Sequence, residues 1–203
     1  MTSDPGCAET NRRTGKFYDL VGGLYPLVDP WITRGRSECI RRINREPPGR
    51  LLEIGVGPGR HLADITCHQI EAIDVSKVMV HSSQRRRPDA RIRVMDGERT
   101  DFVSSSFDLV ALFHVLSVTA DPAALLREVH RLLRAGGRAY VLNRESLAAS
   151  SMWIDRLWIP LARVVRLNPK FHMSRQPEFG LFRVLDRWRY GPLGLFSGLL
   201  LEK

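Results

Sequence analysis

The sequence predicts an α/β fold, a doubly wound, mostly parallel seven-stranded sheet with a C-terminal antiparallel hairpin and an N-terminal helical arm. Three observations predict it. The apolar run Leu51-Leu52-Glu53-Ile54 leads into glycines at every second position, Gly55, Gly57 and Gly59, and then into an amphipathic segment with Leu62, Ala63 and Ile65. From residue 51 to residue 143, short apolar runs alternate with segments of helical period. Near the C-terminal end, residues 179–190 and 193–202 read as two strands meeting at Gly191-Pro192.

Residues 1–13 are small and polar, with Pro5 and Gly6, and are expected to form a disordered tail. Residues 14–203 suit a single domain. From Thr14 a helical pattern places Phe17, Leu20, Val21 and Leu24 on one face; Gly22-Gly23, Pro26 and Pro30 then break it into pieces carrying Tyr18, Tyr25 and Trp31. A second helix over about residues 32–45 stops at Pro47-Pro48-Gly49. Residues 14–46 thus form an aromatic-rich arm, suited to close over a ligand, to pack on the sheet, or to do both.

Residues 51–54 read as a strand buried on both faces. The glycines after it let the backbone turn tightly and approach a ligand. A helix starting beyond them would present unpaired N–H groups. Ile70-Glu71-Ala72-Ile73 is a second strand ending at Asp74, where a carboxylate can reach ribose hydroxyls. Ser76 caps a helix running to about Arg87. Pro88-Asp89 turns the chain into a strand over 91–95 that ends at Asp96-Gly97. Residues 107–113 are the next buried strand. Asp121-Pro122 opens a helix over 123–134 with Leu125, Leu126, Val129, Leu132 and Leu133 as its apolar stripe. Ala135-Gly136-Gly137 ends that helix, and 138–143 is the fifth strand. Residues 153–167 set Trp153, Leu157, Trp158 and Leu161 on a broad apolar face opposite Asp155, Arg156, Arg163 and Arg166. Such a helix, kinked at Pro160, packs on the core or lies in a membrane interface.

The chain has 203 residues, 43% of them hydrophobic, and a formal net charge of +9. Its polar start is no signal peptide, and no apolar run approaches membrane-spanning length. Cys7, Cys39 and Cys67 lack the spacing of a disulfide framework or a zinc site, which fits a reducing cytoplasm. Residues 51–143 carry twelve Lys/Arg against eleven acids, whereas residues 144–203 carry ten against five. The positive excess therefore lies outside the central unit, mostly C-terminal to it. Arginine outnumbers lysine 27 to 4, which suits a GC-rich genome or a surface for phosphate groups.

The glycine spacing is not the G-x-G-x-x-G of a dinucleotide site, and the G-K-[ST] of a P-loop is absent. Glu53, Gly55, Gly57 and Gly59 instead resemble the E-x-G-x-G-x-G motif of class I S-adenosyl-L-methionine (SAM) methyltransferases, and residues 51–143 are similar to that core in nearly every motif. The resemblance implies a Rossmann-like fold with SAM as cofactor. It sets Gly55, Gly57 and Gly59 at the methionine part, Asp74 with Val75 at the ribose, and Asp96 and Gly97 beside the adenine. Phe113 and His114 would line the methyl-transfer site.

Within the superfamily, Ser106-Phe107-Asp108, Ser117-Val118-Thr119-Ala120-Asp121-Pro122, Gly136-Gly137 and Val141-Leu142-Asn143 look closest to bacterial phospholipid N-methyltransferases. So do Tyr18-Asp19-Leu20-Val21 and Gly194-Leu195-Phe196. The resemblance implies stepwise methylation of phosphatidylethanolamine toward phosphatidylcholine by an enzyme peripheral to the inner face of the membrane. Ala135 stands where proline is usual, and Arg144 where many of these enzymes have histidine.

Tyr18, Tyr25, His114 and Asn143 are candidates to orient the acceptor, and Glu145 to stabilise its growing cation. Arg144, Arg175, Arg187 and Arg189 are candidates for a lipid phosphate or an anionic membrane surface. No metal is expected, since the histidines show no ligand spacing. The alternative acceptor is a small soluble amine, thiol, phenol or quinone. The pI of about 10.2 raises nucleic-acid binding, but no N-P-P-Y-type tetrapeptide follows the fourth strand, and no nucleic-acid partner is expected. A catalytically inert SAM-fold scaffold is a further alternative, against which the intact glycines and Asp74 count.

Overall fold

Consecutive residues of a strand face opposite sides of a sheet, and both sides here are apolar, so helices must cover both. The computed structural model describes residues 10–11, 30–66, 68–144, 173, 176–191, 194 and 196–203. The expected helix from Thr14, with Tyr18 and Tyr25, lies outside the described residues, as do Cys7, Cys67, Glu145, Arg175 and the segment 153–167. The strands are β1 (Arg50–Ile54), β2 (Gln69–Asp74), β3 (Arg91–Val94), β4 (Phe107–Phe113), β5 (Leu133–Arg144), β6 (Arg183–Tyr190) and β7 (Phe196–Glu202). They form one sheet in the order β3-β2-β1-β4-β5-β7-β6. The first five run parallel, and β7 is antiparallel to both of its neighbours. This is the doubly wound, mostly parallel seven-stranded sheet with a closing hairpin that the sequence predicts.

Leu52 and Ile54 of β1, with Val110 and Leu112 of β4, cluster with Leu125, Leu126, Val129 and Leu132 of α3 (Pro122–Leu132). On the other face, Leu51, Leu109, Ala111 and Tyr140 cluster with Cys39, Ile40 and Ile43 of α1 (Pro30–Ile43) and Val80 of α2 (Lys77–Arg86). The two caps are in place: Ser76 Oγ accepts from Met79 N at 3.1 Å, and Asp121 Oδ1 from Ala124 N at 2.9 Å. Burial pushes the Cys39 thiol well above its ordinary pKa. Among the described residues no group of His, Cys, Asp and Glu is placed to hold a metal ion, and no helix is long and apolar enough to cross a membrane.

The structure departs from expectation at four places. The segment after Gly59 is a single 3-10 turn, Leu62–Asp64, followed by extended chain. Residues 60–68 must return the chain to the start of β2. As an α-helix they would span roughly 14 Å, short of the roughly 17–20 Å of a five- or six-residue strand, so the chain straightens instead. Second, α3 ends at Leu132 and β5 begins at Leu133, which pairs with Phe107 before the register shifts. Third, residues 177–181 form a 3-10 turn, so β6 starts at Arg183, later than expected. Proline at 177 has no N–H to give a sheet ladder. Last, the expected tail contains Thr10 and Asn11 in helical conformation, with Asn11 buried.

The described part of the arm packs on the sheet. The Arg42 guanidinium lies 4.2 Å from the centre of the Trp188 ring, and its Nη1 donates to Asp186 at 2.6 Å. A Cβ on Gly35 would stand 2.1 Å from the Tyr190 ring, so a larger residue there would displace that ring. At its C-terminal end, Glu46 accepts from Tyr140 Oη at 2.6 Å and from Arg138 Nη1 at 2.8 Å.

Candidate active site

Ligands of doubly wound sheets bind beyond the C-terminal ends of the strands. Glu53, Gly55, Gly57, Gly59, Asp74, Val75, Asp96, Gly97, Phe113, His114 and Asn143 lie at or near those ends, whereas Tyr18 and Tyr25 lie outside the described residues. Gly55, Gly57 and Gly59 have φ of +75°, +57° and +68°, the left-handed region that other residues enter at a cost. The turn starts as an extension of the sheet, with Gly55 N and Val56 N both donating to Ile73 O. A Cβ on Gly55 would come 2.4 Å from Val115 Cγ2, and one on Gly59 would come 2.5 Å from Ser83 Cβ. At Gly57 a Cβ would meet nothing within 4 Å. Two glycines are thus needed for packing as well as conformation, and the middle one faces open space.

Asp74, at the end of β2, accepts from Gly57 N at 2.8 Å through Oδ2 and from Ser76 N at 2.9 Å through Oδ1. The carboxylate assigned to the ribose therefore also ties the glycine turn to the start of α2, with Val75 between. Asp96 accepts from Glu98 N at 3.0 Å and from Asn11 Nδ2 at 2.9 Å, while Asn11 Oδ1 accepts from Ala120 N at 3.2 Å. Gly97 is tight against β1: a Cβ there would stand 2.4 Å from Ile54 Cγ2. Glycine turn, Asp74 and Asp96 thus lie along the same C-terminal edge of the sheet.

Glu53 is 1% exposed and meets His61 Nε2 at 2.7 and 2.9 Å. His61 Nδ1 lies 3.2 Å from Arg36 Nη1. A guanidinium only donates, so Nδ1 is the acceptor and the imidazole proton sits on Nε2, facing the carboxylate. Glu53 is thus enclosed behind the glycine turn, with its carboxylate on His61. Phe113 is buried at the end of β4, with its ring edge-on to His61 at 5.9 Å.

His114 follows with φ of +63°, its N–H donating to Leu142 O at 2.7 Å. Its Nε2 is 3.4 Å from Tyr190 Oη, and its ring meets Phe196 edge-on at 5.8 Å. Burial first, and Arg36 second, push its pKa down to about 3 from an ordinary 6.5. Asn143 is fully buried on β5, paired in register with Ser197. His114 and Asn143 thus sit at adjacent strand ends. Between pH 6.5 and about 3 the unfolded chain binds a proton at His114 that the folded chain refuses, so stability should fall as pH drops through that window. His114→Asn, which tolerates the left-handed backbone, is expected to flatten this acid limb in urea melts across that range.

Asn11, Arg36, His61 and Tyr190 were not among the predicted site residues. His61 was findable, since a carboxylate inside a buried strand demands a partner, and His61 follows the glycines by two positions. Asn11 sits in a stretch whose composition gives no hint of burial.

A family model described as a methyltransferase domain matches residues 52–141. The chain is 28% identical over 167 residues to the demethylmenaquinone methyltransferase of Beutenbergia cavernae, covering 76% of this chain and 70% of that one. It is 26% identical over 168 residues to a phosphatidylethanolamine N-methyltransferase of Cereibacter sphaeroides, covering 76% and 80%. The structure of the Burkholderia thailandensis 1,6-didemethyltoxoflavin-N1-methyltransferase, with 1,6-didemethyltoxoflavin and S-adenosylhomocysteine bound, superposes with a TM-score of 0.70 at 18% identity, covering 100% of this chain and 91% of that one. Motif, sheet order and family model agree on a methyltransferase domain over residues 52–141, with S-adenosyl-L-methionine as its cofactor.

Proposed function

We propose that this methyltransferase N-methylates the head-group amine of phosphatidylethanolamine, stepwise toward phosphatidylcholine, while bound peripherally at the cytoplasmic membrane surface. The observation that carries the proposal is a groove of about 490 Å³ between α1 and β6, lined by Arg34, Glu38, Arg41, Trp188 and Tyr190 among others. Arginines suit a lipid phosphate, a carboxylate suits the ammonium, and the aromatic wall suits the apolar part of the molecule. The groove reaches Tyr190, whose hydroxyl adjoins His114 at the ends of β4 and β5. Arg187 and Arg189 are exposed on the edge strand β6, where an anionic surface could meet them. The similarity to the Cereibacter enzyme supports the same acceptor.

When bound, SAM supplies a methyl group on a sulfonium, transferred in line to the nitrogen lone pair as the C–S bond breaks. The chain's task is alignment. His114, neutral near pH 7, accepts a hydrogen bond from the amine and aims it. With so low a pKa it orients the amine and passes the departing proton to water rather than storing it.

A second reading, C-methylation of a quinone, is favoured by the similarity to the Beutenbergia enzyme. Purified protein incubated with SAM and phosphatidylethanolamine liposomes, with a demethylmenaquinol in a parallel reaction, separates the two by mass spectrometry. Lipid mass gains of one to three methyl groups are the expected result. A methylated quinol with unchanged lipid would replace the lipid reading with the quinone one.

A further inference from the structure

α1 carries an arginine whose charge meets no carboxylate among the described residues. Arg42 pairs with Asp186, Arg87 with Asp89, Arg131 with Glu128 and Arg138 with Glu46. Arg36 is half-buried, and among the described residues its one hydrogen-bond partner is His61; its Nε is buried and makes no hydrogen bond to any of them. A guanidinium sheltered from water is costly while its donors lack acceptors, and its planar fork matches a carboxylate.

The contacts of Arg36 locate it. His61 stands just past Gly59, at the end of the glycine turn. The guanidinium carbon is 5.9 Å from the centre of the Phe113 ring, and its charge reaches His114. Arg36 therefore sits over the adjacent C-terminal ends of β1 and β4, beside the glycine turn. Arg34 and Arg41 line the acceptor groove against β6. At about 100° per residue, Arg36 is carried roughly 200° around α1 from Arg34, onto a different face. The chain thus separates a cation at the cradle from cations in the groove. The relay Arg36–His61–Glu53 fixes the cradle cation, because Glu53 holds the imidazole whose Nδ1 holds the guanidinium.

We propose that Arg36 binds the α-carboxylate of the cofactor's methionine tail, with His61 and Glu53 as the positioning residues that aim it. The proposal rests on SAM as cofactor and assigns one end of that molecule to one side chain.

Isothermal titration of the full chain with S-adenosylhomocysteine and with 5′-methylthioadenosine tests it, since the second ligand keeps the nucleoside and sulfur but has no carboxylate. Arg36→Gln is expected to weaken S-adenosylhomocysteine binding about tenfold or more, and to leave 5′-methylthioadenosine binding within about twofold. Retained binding of the smaller ligand also shows that the variant is folded. Arg36→Lys should recover part of the loss. Equal losses for both ligands would make Arg36 a support of pocket shape and overturn the proposal. Unchanged S-adenosylhomocysteine affinity with a raised KM for the methyl acceptor would overturn it too, because the anion served would then be the acceptor's. If the wild-type chain bound neither ligand, the cofactor assignment would fall and this inference with it.

Discussion

Gly59→Ala is expected to abolish S-adenosylhomocysteine binding and to destabilise the fold by about 2–5 kcal/mol. Two costs add. The backbone φ of +68° penalises any side chain by about 1–2 kcal/mol. The new methyl would also lie 2.5 Å from Ser83 Cβ and 2.9 Å from Ser83 Cα, and backbone cannot rotate away as a side-chain tip can. Forcing atoms into a packed site costs about 1–3 kcal/mol, and the relief available is a shift of the glycine turn away from α2, which spoils the cradle. Gly57→Ala is the control: its φ is +57° but a Cβ would meet nothing within 4 Å. It should therefore lose only the conformational part. Denaturant melts of both variants with matched titrations check the order. If Gly57→Ala lost as much stability as Gly59→Ala, the packing argument would be wrong.

His61→Ala should lower stability by about 3 kcal/mol, or roughly 6–12 °C in melting temperature for a domain of this size. It strips the buried Glu53 carboxylate of the hydrogen bonds from His61 at 2.7 and 2.9 Å, and it removes the acceptor for Arg36. The loss reflects a charged group left without a partner, not the net value of the pair. Glu53→Met in the His61→Ala background is accordingly expected to restore part of the melting temperature. A double-mutant cycle measures this. Additive effects would mean that the two side chains do not interact in solution.

The sheet was legible because its message is local and redundant. The apolar runs at 51–54, 70–73 and 107–113 each mark a strand buried on both faces, and the caps Ser76 and Asp121 announce their helices by residue type alone. The positive-φ glycines were legible for the same reason, since few residues other than glycine adopt that conformation freely. What escaped depends on lengths and distant partners. The segment after Gly59 has helical character in its residues, but the distance back to β2 overrides it. Arg36 reads as one more arginine on a helix until the fold sets it beside His61 and Phe113. Asn11 acquires its place from Asp96 and Ala120, 85 and 109 residues away. The groove proposed for the acceptor was not legible, because its lining joins α1 to β6 from opposite ends of the chain.

The placing of β7 between β5 and β6 bears on the order of assembly during synthesis. The nascent chain releases α1 and then the strands β1 to β5, yet Trp188 and Asp186, on which Arg42 of α1 rests, emerge only with β6. The open edge of β5 gains its neighbour later still, when β7 inserts between the two. Until then a growing chain has an unpaired strand and a helix without its aromatic bed, the exposed features that invite mispairing. On the proposal for Arg36, the cradle gains its carboxylate anchor in final position only once β6 has seated α1.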